Sequence, residues 1–191
     1  ATVVVITRPT PDALFEEGLQ AVARGDVQQT LALIETLQRH RGYESHVALL
    51  RGAYQLRRGN PVAAMRSFEV VDPTGPLRQP ALSYTGECLF SLEQLPLAAA
   101  QFQELLKDNP RSANAHRWLG QIFYNLGAFD TAVAHLQKLI ELEPDNYLAH
   151  ALIGHMAFDF EDFQVAVENY RKAIGIGPPD GTPENVQQEI L

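Results

Sequence analysis

Residues 113–146 read ANAHRWLGQIFYNLGAFDTAVAHLQKLIELEPDN, and this stretch decides the fold. Leu119-Gly120 is followed by Phe123, then by Ala132, Leu136 and Pro144. A shift of 34 residues in either direction finds the pattern again. Gly18, Gly52, Gly86, Gly120 and Gly154 keep that spacing without exception. Ala64, Ala98, Ala132 and Ala166 keep it at a second phase, with Thr30 in the first place. Four residues further on stand Ile34, Phe68, Phe102, Leu136 and Tyr170. Pro110, Pro144 and Pro178 close the last three periods. Self-similarity at one fixed period marks tandem supersecondary units. Glycine inside a helix costs about 1 kcal/mol, so a glycine that returns in every period needs a packing reason.

The chain divides into periods 11–44, 45–78, 79–112, 113–146 and 147–180. Each reads as two helices, a first (A) carrying the glycine and a second (B) carrying the alanine. Breakers separate them at Gly25-Asp26, Gly59-Asn60-Pro61, Gly127 and Glu161-Asp162. Thr10-Pro11-Asp12 supplies a cap, a proline for the first helical position and an acid for the first turn. Asn60-Pro61 and Thr182-Pro183-Glu184 read the same way. Small Gly and Ala side chains let two antiparallel helices approach closely, and larger residues such as Phe102 and Leu136 fill the joints.

This pattern, with Leu119-Gly120, Phe123, Ala132, Leu136 and Pro144 in register, resembles the tetratricopeptide repeat over residues 11–180. The resemblance implies an all-α, right-handed α-solenoid of helical hairpins that serves as a protein-interaction scaffold. The first two periods depart from the family pattern. Glu17 and Arg51 stand where a leucine-like residue is usual, Thr30 replaces the alanine, and the second period breaks early at Asp72-Pro73. Glu17 and Arg51 hold equivalent places on neighbouring A helices, which predicts an ion pair between them.

In the family the A helices line a concave surface. Helical spacing from each glycine then selects the residues that would meet a partner. Phe15 and Leu19 come from the first period, with Leu49, Ala53 and Leu56 from the second. Tyr84 and Glu87 come from the third, and His155 from the fifth. The fourth contributes Arg117, Trp118, Gln121, Tyr124 and Asn125. Tyr, Trp and Arg dominate binding hot spots, and amide and guanidinium groups can pair with a peptide backbone. The expected ligand is a peptide segment with one or two apolar anchors. The competing reading has these aromatics packing between neighbouring A helices. The family subgroup that clamps a carboxylate with Lys and Asn is disfavoured, because the inward positions of the first three periods hold neither.

Charge supports a protein partner. The net charge of −8 is uneven: residues 1–78 balance at +1, and residues 79–191 at −9. Phosphate backbones need a basic face, so nucleic acid is excluded. No apolar run approaches the roughly 20 residues of a membrane helix, so membrane insertion is excluded too. A soluble chain of cytoplasm or periplasm is the expectation. The single cysteine, Cys88, allows no internal disulfide and reads as a packed thiol. His116 and His150, one period apart, read as joint fillers, and His40, His46 and His135 as surface or edge residues. His155 and Asp159 have a metal-compatible i, i+4 spacing but lack a third ligand. No catalytic motif, metal or cofactor is expected.

The termini lie outside the repeats. Residues 1–10, with Val3-Val4-Val5-Ile6, read as an extended apolar segment. That segment is a tail, a cap on the first hairpin, or an occupant of a groove. Residues 181–191 start a capping helix or a truncated sixth period, so the natural protein is expected to be longer. Copies of the chain would meet through the N-terminal segment or the solenoid ends. Two other roles stay open: a structural or self-assembly module, and a regulatory domain supporting a catalytic part outside this chain.

Overall fold

The computed structural model describes residues 9–176. The expectations for the N-terminal extended segment and the C-terminal cap lie outside the described residues. Ten α-helices follow one another among those residues, with no strand. They form two compact units, one up to Gln94 and one from Leu95. The boundary falls inside the third period, between its A and B helices.

The first unit holds α1 (Pro11–Arg24), α2 (Val27–Leu37), α3 (Glu44–Arg57), α4 (Pro61–Phe68) and α5 (Arg78–Ser91). Helices α1 and α2 pack as one hairpin and α3 and α4 as another, with α5 laid against both α4 and α3. Thr10 caps α1 by accepting from the Ala13 N–H at 3.2 Å, as its sequence predicts. Asn60 starts α4 without a side-chain cap bond. Thr30, in the alanine phase, is 1% exposed, and its hydroxyl donates to the Asp26 carbonyl at 2.7 Å. That bond satisfies the one polar atom the substitution buries. Leu37, Leu49, Leu50 and Phe68 anchor the core. After Phe68 the chain leaves the helix. Asp72 then folds the connection, its carboxylate accepting from the Thr74 N–H and hydroxyl, each at 2.8 Å. Those bonds hold the Asp72 carboxyl below its usual range.

The second unit holds α6 (Leu95–Asp108), α7 (Ala113–Asn125), α8 (Phe129–Leu142), α9 (Tyr147–Asp159) and α10 (Phe163–Ile176). Helices α7/α8 and α9/α10 form hairpins, α6 packs on α7, and α8 packs on α9. Ser112 and Asn146 cap α7 and α9 through the Ala115 and Ala149 N–H groups. The glycine phase has the packing role expected of it. A methyl at Gly120 would stand 2.7 Å from Leu136 Cγ, and one at Gly154 would stand 3.0 Å from Tyr170 Cδ1. In the first unit the Gly52 position is closed by the Phe68 ring in the same way.

Corner geometry repeats as well. Gly25, Gly59 and Gly127 have φ of 72°, 73° and 72°, and the same place in the other two periods is held by Glu93 at 59° and Glu161 at 62°. This left-handed conformation ends each A helix, and it suits glycine because a Cβ is strained there.

Candidate functional site: the A-helix faces

Helix α7 carries more of the expected contact residues than any other helix. Trp118 is half-buried and stacks on Phe102 of α6, with ring centroids 5.7 Å apart and planes 11° from parallel. The Arg117 guanidinium lies over the Trp118 ring at 4.8 Å. It also donates to the Asn114 side-chain oxygen at 2.7 Å. The indole is thus held between a core phenylalanine and a cation, in a fixed orientation. Beside Arg117 a cavity of about 480 Å³ opens against the turn from Glu143 to Leu148. Its wall combines the Arg117 cation with the Glu143 and Asp145 carboxylates and the apolar Leu148. The Glu143 carboxylate already accepts from the Asn146 amide at 2.8 Å.

One to two turns further along α7, Gln121 and Tyr124 are half-buried and Asn125 is exposed. Tyr124 meets Phe129 edge-on at 5.9 Å and His155 of α9 at 6.0 Å. Burial, and then the Asp159 charge, push the Tyr124 hydroxyl pKa up, so it stays a protonated donor at neutral pH. His155 lies 3.4 Å from the Tyr170 hydroxyl and 4.0 Å from the Asp159 carboxylate. Among the described residues no group of three or more His, Cys, Asp or Glu side chains could hold a metal ion. His155 and Asp159 share a polar surface with Tyr124.

In the first unit, Tyr84 stacks on Phe68 at 5.5 Å and its hydroxyl pKa is raised, chiefly by burial. Glu87, one turn along α5, is half-buried. The other first-unit positions need correction. Phe15 is 6% exposed, and Leu49 and Ala53 are each 1% exposed. These three are core residues, and Leu19 and Leu56 pack against the same core. The spacing rule that placed them on a free face ignored how fully α1, α2 and α3 close over one another.

The Glu17–Arg51 pair also does not form. Glu17 instead accepts from the Gln29 amide of α2 at 2.7 Å, across its own hairpin. Arg51 turns to a cavity between α3 and α4.

The histidines divide as the repeat predicts, with two exceptions, His135 and the half-buried His46, whose ring meets Phe15 edge-on at 4.9 Å. His116 and His150 are 7% and 6% exposed. Their Nε2 atoms meet the Pro110 and Pro144 carbonyls at 3.2 and 3.3 Å, the same bond one period apart. His135 is no surface residue. It is half-buried, stacks on Phe123 at 5.7 Å, and lies 3.0 Å from His116 between Nδ1 atoms. The His116 Nε2–H donates to Pro110, so its Nδ1 accepts and His135 donates. Burial, and then repulsion from His116 in its protonated form, lower the His135 pKa. Position 135 lies 19 residues after His116, where Asn169 follows His150. That shared offset was the sequence signal for the contact. Cys88 is fully buried, and burial pushes its thiol pKa up to about 12.

Comparison with known proteins agrees with this architecture. No curated protein matches the chain by sequence. Among solved structures the chain is similar to a crystal structure of MamA, at 20% identity and a TM-score of 0.68, covering 90% of this chain and 96% of that one. It is also similar to MamA from Desulfovibrio magneticus RS-1, at 19% identity and a TM-score of 0.70, covering 92% of this chain and all of that one. At such identity the likeness is one of fold. Among the described residues no helix is long and apolar enough to cross a membrane. The tetratricopeptide repeat family model matches residues 86–142 and 123–181, half of the chain in all. The all-helical architecture, the recurring glycine contacts and that match together make this chain a member of the tetratricopeptide repeat family.

Proposed function

We propose that the chain is a non-catalytic protein-interaction scaffold that holds a peptide segment of a partner along the α7 and α9 faces of its second unit. One observation carries this reading. Arg117, Gln121 and Asn125 form a polar stripe on α7, between the cavity beside Arg117 and the Tyr124–His155 contact. The stripe would serve a peptide backbone, since guanidinium and amide groups both donate to carbonyls. The cavity of about 480 Å³ would take an anchoring side chain. Trp118 contributes through shape: with Phe102 behind it and Arg117 over it, it presets the site. Tyr84 and Glu87 offer a second, smaller contact surface in the first unit.

The test is retention of a lysate protein on immobilised wild type and on the triple variant Arg117→Ala/Gln121→Ala/Tyr124→Ala. These side chains lie outside the fully buried core, so the variant should keep wild-type circular dichroism. A protein held by wild type and released by the folded variant supports the reading. Equal retention by both sinks it.

A further inference from the structure

Arg51 occupies a place where the repeat pattern usually has a leucine, and the ion pair expected to explain it does not form. The cavity it lines has a structural origin. Helix α2 has 11 residues and α4 has eight, against 14 for α6, α8 and α10. Both short helices lack a C-terminal turn that would cover α3. A cavity of about 520 Å³ remains, and Gln38, His40 and Val70, just beyond the ends of α2 and α4, form part of its wall.

Its chemistry is one-sided. Arg51 of α3 and Arg66 of α4 both line it, and neither has a hydrogen-bond or ion-pair partner among the described residues. Glu44 is the one carboxylate on the wall, and it accepts from the Gly42 N–H at 3.3 Å. On the same wall, the Ser67 hydroxyl donates to the Gln55 side-chain oxygen at 2.8 Å. That bond occupies the amide's acceptor and leaves its NH₂ to donate. Val47, Ala48 and Ala63 add apolar lining to the same cavity. Two guanidiniums and an amide donor around an apolar base suit a carboxylate or phosphate on a hydrophobic body. The volume lies within the range of small-molecule sites, about 300–1,000 Å³.

We propose that this cavity in the first unit is a binding site for a small organic anion, its carboxylate or phosphate held by Arg51 and Arg66 and its apolar body resting on Val47 and Ala63. The site is separate from the α7–α9 face and does not depend on the peptide reading. Isothermal titration of the full chain with phenyl phosphate, benzoate, inorganic phosphate and phenol tests it. Phenyl phosphate or benzoate should bind saturably, inorganic phosphate more weakly, and neutral phenol not at all. Arg51→Leu and Arg66→Gln should each weaken aryl-anion binding about tenfold or more, the expected loss of a charge-assisted contact. Arg51→Leu restores the usual residue of the repeat, so it should fold, and circular dichroism checks both variants. Amide NMR shifts of Gln55 and Ser67 on adding phenyl phosphate to wild type give a readout that needs no variant. Displacement of bound phenyl phosphate by a short Leu- and Glu-containing peptide assigns the natural anion to a protein side chain. Failure to displace assigns it to a free small molecule. Absence of saturable aryl-anion binding, or affinity unchanged in both variants, overturns the proposal.

Discussion

Replacing Gly120 by alanine sets two effects of known size against each other. Gly120 is interior to α7, so the methyl should add about 1 kcal/mol of helix stability. The same methyl would stand 2.6 Å from Leu136 Cδ2 and 2.7 Å from Cγ. The second atom is a branch point, so rotating the end of the side chain does not clear it. Leu136 is fully buried, in an interior packed as closely as an organic crystal. Overpacking of this kind costs about 1–3 kcal/mol. The net expectation for Gly120→Ala is a loss of about 1 kcal/mol. Gly154→Ala puts its methyl 3.0 Å from Cδ1 of Tyr170, whose ring is only half-buried and can yield. There the helix term should dominate, for a gain of up to about 1 kcal/mol. Urea unfolding followed by circular dichroism should move the two midpoints in opposite directions with unchanged slope. Leu136→Ala in the Gly120→Ala background should cost less than the sum of the single changes, because it removes the atoms the methyl strikes. A Gly120→Ala protein more stable than wild type, or strict additivity with Leu136→Ala, would refute the close-approach account of the glycine phase.

Other outcomes follow from the same contacts. His135 has a lowered pKa in the folded chain, so between that value and 6.5 the unfolded chain binds more protons. Its stabilising contribution is therefore present above pH 6.5 and lost as pH falls through the folded value, and His135→Asn should flatten that part of the urea-midpoint profile. Cys88 should resist a thiol reagent at neutral pH and react only as fast as the first unit opens, because it is fully buried with its pKa near 12; rapid labelling of folded protein would contradict the burial. A double-mutant cycle should find no coupling between Glu17 and Arg51, and about 0.5 kcal/mol between Glu17 and Gln29, whose side chains share a 2.7 Å hydrogen bond.

The 34-residue period made the helices and the glycine contacts of Gly52, Gly120 and Gly154 legible, because each depends on chemistry local to one hairpin; of the caps it signalled, Thr10 forms its bond and Asn60 does not. Gly52, Gly120 and Gly154 each face the large residue 16 positions later, and both members of those pairs stand out in the repeat. The accessibility of the candidate residues was legible only where the fold leaves an A helix uncovered. Gln121 and Asn125 remain accessible, whereas Phe15, Leu49 and Ala53 occupy comparable helical positions and are buried. Spacing fixes the direction of a side chain on its own helix, but burial depends on the neighbours laid over it. Glu17 shows the same limit. Its position suggested Arg51, while Gln29 at the start of α2 lies within hydrogen-bond reach across the hairpin. The cavity beside Arg51 could not be read before the lengths of α2 and α4 were known.

The five left-handed corners bear on the order in which the second unit acquires its structure. Gly127 adopts its corner conformation without a steric penalty, so the α7–α8 hairpin can close on local preference. Glu161 must enter the same region with a Cβ, at a cost of about 1–2 kcal/mol. The α9–α10 corner then depends on the packing of its flanking helices, α10 on α9 and α9 on α8. Folding of this unit should accordingly nucleate at α7–α8, with the last hairpin condensing onto a surface already in place.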